Sequence, residues 1–543
     1  MIRSFAWFAP IGALLLAGCA GPHAPASVPV AQEEMRPQRG GTFQTIGIRP
    51  LEHLHPWRQS TPANASFYLN GASYDQLVDF EYKPDIDHRF TDKIIPELAE
   101  KWELRDGTTY TFSLLKNAKW HDGQPLTAAD AKWSIEYLVD PVNKILGIPD
   151  LKGIESITTP DGHTLQIKLK EPDVDFLRKL TNQSRVSILP KHVHERGGDF
   201  EKVEVGTGPF KIESFSRDRG VVYVANKEYW KADMPYVDKV RILPPVDEAG
   251  RTAAFFAGQN DVMKVGAKVQ AETVAAQNPQ ARISTFFQEA NVEMWLRLDR
   301  SPFNDQRVRE AVQLIVDRQA MIGTLTSGDG LMNAPVLNGI YKRWVLPPGD
   351  FQSMPGWRTP KEQDLSRGKQ LLAQAGYGQG LSFTIKVDRN NPNWPAVAEM
   401  ISEQLRQAGV EAKLQPMESA TYNKSIADGD FDSYVSGGGT PSEWTTLLHS
   451  NGVNNLIRLR DPEVDRLIQA QVREFDEDKR AQTIRELQRL LIRQAYTVPT
   501  ITFAGYLIEQ PWARGYVDGR GANVSNPDWS QLWLDHATMP SNR

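Results

Sequence analysis

Between Leu381 and Leu414 the hydrophobic period changes twice, and this limits the folds open to the chain more than any other feature. Leu381, Phe383, Ile385 and Val387 alternate at the period of a strand. From Pro395 onward Val397, Met400, Ile401, Leu405 and Ala408 recur on one helical face, Gly409 stops the helix, and Val410, Ala412 and Leu414 alternate again. Strands joined through a helix of this length lie parallel, with an expected right-handed crossover. At least one sheet is therefore parallel in part, and the body is mixed α/β.

The rest of the chain repeats this alternation without an internal repeat. Asp106-Gly107 separates two strand-like runs, and Pro160-Asp161-Gly162 precedes Leu165, Ile167 and Leu169 at period two, so hairpin turns are expected at both places. Thr127 and Asp130 stand as a capping box before Ile135, Leu138 and Val139. Asp461-Pro462 heads a helix through Val464, Leu467, Ile468, Val472 and Phe475, and a second helix carrying Ile484, Leu487 and Leu491 follows. At about 150 residues per domain, 543 residues imply roughly three to four domains.

The single cysteine of the chain excludes an internal disulfide framework and any cysteine-based metal cage. Met1, Ile2 and Arg3 precede an apolar run from Phe5 to Leu16, then Leu16-Ala17-Gly18-Cys19. One positive charge, about a dozen apolar residues and small residues before the cut read as a signal peptide over 1–18, too short for a membrane span of about twenty. The placement of Cys19 resembles the bacterial lipobox, in which the thiol is lipidated and becomes the new N-terminus. Residues 19–39, with Pro22, Pro25, Pro29 and Pro37 and no regular period, then read as a flexible leash. A folded body tethered just outside a membrane is the expectation.

Composition and motifs exclude more than they assign. Sixty-two Lys plus Arg against 67 Asp plus Glu leave no basic surplus for nucleic acid. His192-Val193-His194-Glu195 lacks the second histidine spacing of a helical zinc motif, no nucleophile elbow or Walker loop occurs, and Gly206-Thr207-Gly208 lacks a third glycine before Pro209. His53 and His55 are two potential ligands without a third. No metal, cofactor or catalytic set is assigned. A carboxylate pair of the glycosidase type stays open, since any of 67 acids could meet another in space.

Several segments, taken in order, resemble the bacterial extracellular solute-binding proteins of family 5, the dipeptide, oligopeptide and nickel receptors of ABC importers. They are Gly40-Gly41-Thr42; Tyr74-Asp75-Gln76-Leu77; Pro96-Glu97-Leu98-Ala99 with Trp102; Trp120-His121-Asp122-Gly123 and Leu126 to Asp130; Gly206 to Phe210 with Asn226 and Tyr229-Trp230; and Pro302-Phe303-Asn304-Asp305, Arg307-Val308-Arg309, Ala311 and Asp317-Arg318. Their shared order covers the chain from about residue 40 to about 535. The resemblance implies an α/β, two-lobed clamp like that of periplasmic binding proteins, of the three-domain variant with mixed sheets and a hinge. Domain I would comprise 40–78, 206–285 and 503–543, domain II 79–205, and domain III 286–502. It further implies a monomeric, non-enzymatic receptor, periplasmic or on the cell surface, held to a membrane by its lipid, that closes on a peptide or peptide-like solute and delivers it to an ABC permease. Alternatives on the same scaffold are a metal chelate, an opine or an oligosaccharide; a secreted polymer hydrolase is the alternative from another class.

In peptide-binding members an aspartate in a domain III loop pairs with the amino terminus of the ligand, ahead of a proline and an aromatic. Aligning Pro441 and Trp444 with that pattern places Gly437 where the acid would be, followed by Gly438 and Gly439. Glu443 is the substitute acid if the loop bends back, or an exposed loop residue. Asn455, seven residues before Pro462, matches a pocket asparagine or serves as a turn residue. Trp295 faces the cleft or belongs to the hinge core, and Tyr434 is a stacking wall or a half-buried strand residue. These residues form the expected ligand-binding set.

Overall fold

The alternating runs form the strands of four main sheets. The protein is described here from a computed structural model covering residues 36–47, 49–59, 67–83, 89–145, 151–181, 186–287, 291–336, 343–347, 349–350, 353–516, 518–520 and 524–541. The segment expected to be a signal peptide, Cys19 and all of the expected leash before residue 36 lie outside the described residues.

The first sheet runs Thr42–Ile46, Lys239–Leu243, Gly220–Ala225, Phe210–Ser216, its first pair parallel and the others antiparallel. A second, wholly antiparallel sheet orders Ala99–Arg105, Thr109–Leu114, Thr164–Leu169 and Ile154–Asp161, with both expected hairpins in place. Between them Thr127 caps the helix Ala128–Val139, its N–H and hydroxyl both donating to Asp130 Oδ2 at 2.9 and 2.7 Å. One apolar core, with Phe43, Phe112, Leu165 and Tyr223, runs under both sheets.

The βαβ unit read from the sequence lies in a five-stranded sheet of order Val410–Met417, Leu381–Asp388, Ser433–Gly437, Val292–Leu296, Thr497–Pro499. Its first three strands are parallel, joined in part by the helix Trp394–Arg406, and the last two pairings are antiparallel. Side chains alternate across this sheet. Val292, Met294 and Leu296 pack on one face against Val308, Ile315, Leu371 and Ile401, and Trp295 packs on the other with Tyr434, Trp444 and the helices Pro462–Arg473 and Glu477–Gln494. Asp461 Oδ1 caps the first of those helices through Glu463 N at 2.8 Å.

Val262–Val265, Ala504–Glu509 and Arg282–Phe287 form a three-stranded antiparallel sheet in that order. The chain passes between it and the five-stranded sheet twice, from Phe287 to Val292 and back through Ile501–Thr502 to Ala504.

Two buried polar knots explain why the recognisable motifs need their residue types. Asp75 Oδ2 accepts from the Thr207 hydroxyl at 3.0 Å and from Trp230 Nε1 at 2.8 Å, so three motifs far apart in sequence meet at one carboxylate. Burial pushes that carboxyl up from its usual range. Arg318 is 1 % exposed and donates to the carbonyls of Pro499, Val316, Gln313 and Gly356 at 2.6 to 3.3 Å while lying 4.0 Å over Trp357. A planar donor fork suits this task, which ties two helices to the edge strand Thr497–Pro499. Among the described residues no helix is long and apolar enough to cross a membrane.

Candidate functional site

A cavity of about 350 Å³ opens where the two passages between the sheets lie. One wall is built from Thr45–Gly47 at the end of the first strand, from Val262–Gly266 and from Gly505 and Leu507; the other comes from Val292 and the loop Asn391–Trp394. Chain segments more than 450 residues apart therefore share this space, which lies at the lower end of small-ligand pockets of roughly 300 to 1,000 Å³.

Pairing register decides what faces it. Gly505 stands opposite Phe286 in the three-stranded sheet, and a Cβ at Gly505 would fall 2.4 Å from Phe286 Cζ. The glycine thus lets the ring lie flat across its neighbour and line the cavity. Lys264, opposite Leu507, is half-buried with its Nζ 5.2 Å from the Phe286 ring centroid, and burial pulls its ammonium down to about 7. Across the space, Asn391 Oδ1 accepts from Asn393 N and Trp394 N at 3.0 and 3.1 Å, an Asx turn that fixes the loop and presents Trp394.

Two further polar residues complete the lining. The helix Glu248–Phe256 is capped by Asp247, whose Oδ1 accepts from Gly250 N at 2.7 Å, and is anchored by the fully buried Phe255. Arg251 lies one turn earlier on the same face and so reaches the cavity. It makes no side-chain hydrogen bond or ion pair among the described residues and is half-buried. Asn260 is 1 % exposed, and its side-chain oxygen has no hydrogen-bond partner among the described residues. Its neighbour Asp261 holds it there by accepting from Gln44 N at 2.7 Å and from Trp512 Nε1 at 2.8 Å. Ile46, Phe67, Val292, Leu507 and Tyr516 supply apolar surface, and no Asp or Glu occurs among the described lining residues.

None of the residues expected from sequence to bind ligand is among the described residues that line this cavity. Trp295 and Tyr434 are 5 % and 7 % exposed and stack on each other at 6.1 Å, with Trp295 Nε1 donating to the Gly437 carbonyl at 3.2 Å. Gly437 is the strand partner of Val292, one position from the cavity wall. Gly438 passes so close over Asn291 and Glu293 that a Cβ would sit 2.0 Å from Asn291 Oδ1 and 2.5 Å from Glu293 Oε1; Gly439 packs against Leu447. Burial pushes the Glu293 carboxyl up to about 7, with hydrogen bonds from Thr497 and Asn291 opposing the rise. Glu443 is exposed, and its Oε2 accepts from Thr440 N and Oγ1 at 2.8 and 3.0 Å at the start of the helix Trp444–Leu447. Asn455 donates to the carbonyls of His449 and Leu459 and accepts from Leu459 N at 2.9 Å, so its amide closes its own loop.

Arg251, Asn260, Lys264 and Trp394 escaped the reading of the sequence. The available signals were faint: an arginine four residues before a buried Phe, and an Asn-Asp pair at the start of a strand.

A second junction joins distant segments. Asp175 Oδ2 accepts from Arg480 at 2.6 Å, with the two side chains 3 % and 5 % exposed; Val174 N donates to Val472 O at 3.0 Å and Arg473 pairs with Glu171 at 2.6 Å.

The family model described as bacterial extracellular solute-binding proteins, family 5, matches residues 93–450. The periplasmic murein peptide-binding protein MppA of Escherichia coli K12 is 27 % identical over 470 residues, 80 % of this chain and 83 % of the relative. Heme-binding protein A of Haemophilus influenzae is 26 % identical over 558 residues, covering 93 % and 94 %. The solved structure of HbpA2 from Haemophilus parasuis superposes with a TM-score of 0.77 at 23 % identity, over 91 % of this chain and all of that one. The fold is accordingly that of the periplasmic binding proteins, a mixed α/β clamp of two lobes. With the matched segment spanning most of the body, the chain belongs to the bacterial extracellular solute-binding proteins of family 5.

Proposed function

We propose that this chain is a lipid-anchored, extracytoplasmic receptor that closes on a peptide or peptide-like solute and hands it to the permease of an ABC importer. The observation that carries the reading is the cavity of about 350 Å³, walled by segments on both sides of the two chain passages. The relative named for murein peptides supports the ligand class. Leu16-Ala17-Gly18-Cys19 supports a lipid anchor, since two or more acyl chains hold a protein stably on a bilayer.

In this reading domain I comprises 40–78, 206–285 and 503–543, domain II 79–205 and domain III 286–502, and the described ends of the two passages, Phe287, Asn291 and residues 500–503, belong to the hinge. Closure follows from differential contact: the solute must touch the closed form better than the open one, or it shifts nothing. Arg251, Asn260, Phe286 and Trp394 are the contact residues. Trp295, Tyr434, Glu443 and Asn455 support the frame behind them, and Gly437–Gly439 keep the rim low. No bond is made or broken.

Calorimetric titration with a panel of di- and tripeptides tests this. Saturable binding, with every peptide recovered unchanged, is expected. Silence across the whole panel removes the ligand class, and appearance of cleavage products removes the receptor reading.

A further inference from the structure

We infer that the solute is an organic carboxylate with a largely apolar body, and that its carboxylate is received by Arg251. The inference rests on the proposed receptor function and specifies the chemistry of that same cavity.

Arg251 is half-buried, lines the cavity, and has no hydrogen-bond or ion-pair partner among the described residues. The buried guanidinium groups elsewhere in the protein are engaged: Arg318 by four carbonyls, Arg309 by the carbonyls of Phe303, Asn304 and Gln494, Arg480 by Asp175 and Gln471. An arginine held at a cavity wall by a capped helix and a buried Phe255, with its donors idle, is set up for an anionic oxygen pair, which its planar fork matches in two parallel hydrogen bonds.

Asn260 gives a second, independent pointer. A side-chain oxygen 1 % exposed within its residue and lacking a partner is costly unless something meets it, and here it faces the same cavity. Because the oxygen and nitrogen of an asparagine exchange places with a rotation of its last torsion, this residue can accept a hydrogen bond from the solute or donate one to a carboxylate. Beside Thr45, Lys264, Asn391 and Asn393, the other lining side chains are apolar or aromatic, among them Ile46, Phe67, Phe286, Val292, Trp394 and Leu507. Walls in which apolar side chains predominate favour an apolar body.

The test uses two matched dipeptide pairs, Leu-Leu and N-acetyl-Leu-Leu, each as the free acid and as the C-terminal amide, titrated calorimetrically into the intact protein. A charge-assisted bidentate contact predicts that in each pair the acid binds about ten- to a hundredfold more tightly than the amide. In Arg251→Gln that preference should vanish, and Arg251→Lys should keep part of it. Equal binding of acid and amide by wild type, or an acid preference that survives in Arg251→Gln, overturns the assignment and leaves the receptor reading intact. If none of the four compounds binds, the peptide reading falls and the assignment falls with it. Should Arg251→Gln not fold, the wild-type acid-to-amide ratio and Arg251→Lys decide alone.

Discussion

Removing the carboxylate of Asp175 tests the idea that this body is a clamp with jaws that meet. Asp175 lies in the segment before the short helix Phe176–Leu180, and Arg480 in the helix Glu477–Gln494; in the proposed division these belong to different lobes. The pair is nearly dry, at 3 % and 5 % exposure, so breaking it strands a buried guanidinium. Such changes cost about 3 to 5 kcal/mol. Arg480 keeps Gln471 Oε1 at 3.0 and 3.2 Å and the Trp344 ring at 4.8 Å, which places Asp175→Asn at the lower end, about 3 kcal/mol. If the pair forms only when the jaws shut, that energy is lost from the closed state alone. Solute affinity then falls by about two decades, because about 1.4 kcal/mol is one decade, while thermal unfolding of the ligand-free protein barely moves. Calorimetry gives the affinity, scanning calorimetry the stability, and small-angle scattering a radius of gyration that should be larger in the variant at equal ligand. The double variant Asp175→Asn/Arg480→Met, which removes the stranded charge, should recover part of the loss. Unchanged affinity together with a melting point lowered by several degrees would refute the reasoning, because it would mean the pair sits within one rigid body.

Three other outcomes are expected. Glu293 has a folded-state pKa raised to about 7 against 4.5 for the free side chain, so its contribution to stability is greatest below pH 4.5 and is lost as pH climbs through 7. Glu293→Gln should therefore gain about 3 kcal/mol on wild type between pH 4.5 and pH 8 in denaturant titrations, and parallel pH profiles would contradict this. Gly438→Ala drives a methyl into Asn291 and Glu293 and should lower stability by about 1 to 3 kcal/mol in the same assay; an unaltered midpoint would mean that the loop yields freely. Cys19→Ser should release the protein from membranes into the soluble fraction and abolish incorporation of labelled fatty acid, whereas continued membrane retention would argue against the anchor.

What could be read in advance was whatever is written in short-range chemistry. The βαβ unit, the Asp106-Gly107 turn, the Thr127–Asp130 box and the Asp461-Pro462 start each depend on a handful of neighbouring residues, and each stands where periodicity put it. The ordered motifs identified the scaffold for a different reason: Asp75, Thr207 and Trp230, far apart in the chain, meet at one carboxylate in the fold. The cavity was not legible. Its walls come from Thr45, Arg251, Val292, Trp394 and Leu507, and nothing local distinguishes Arg251 from a solvated helix arginine. Asn455 shows the converse, since a residue matched by its spacing to Pro462 has its amide taken up by His449 and Leu459. Sequence spacing names a loop, and only the partners in space decide whether a side chain faces inward or outward.

The most direct test of solute capture is native mass spectrometry of the intact protein purified without added ligand from cells that make it. A one-to-one complex is expected, whose guest is released unaltered on denaturation and carries a carboxylate. A protein that never retains or rebinds any small molecule, or one that returns its guest chemically changed, would contradict it.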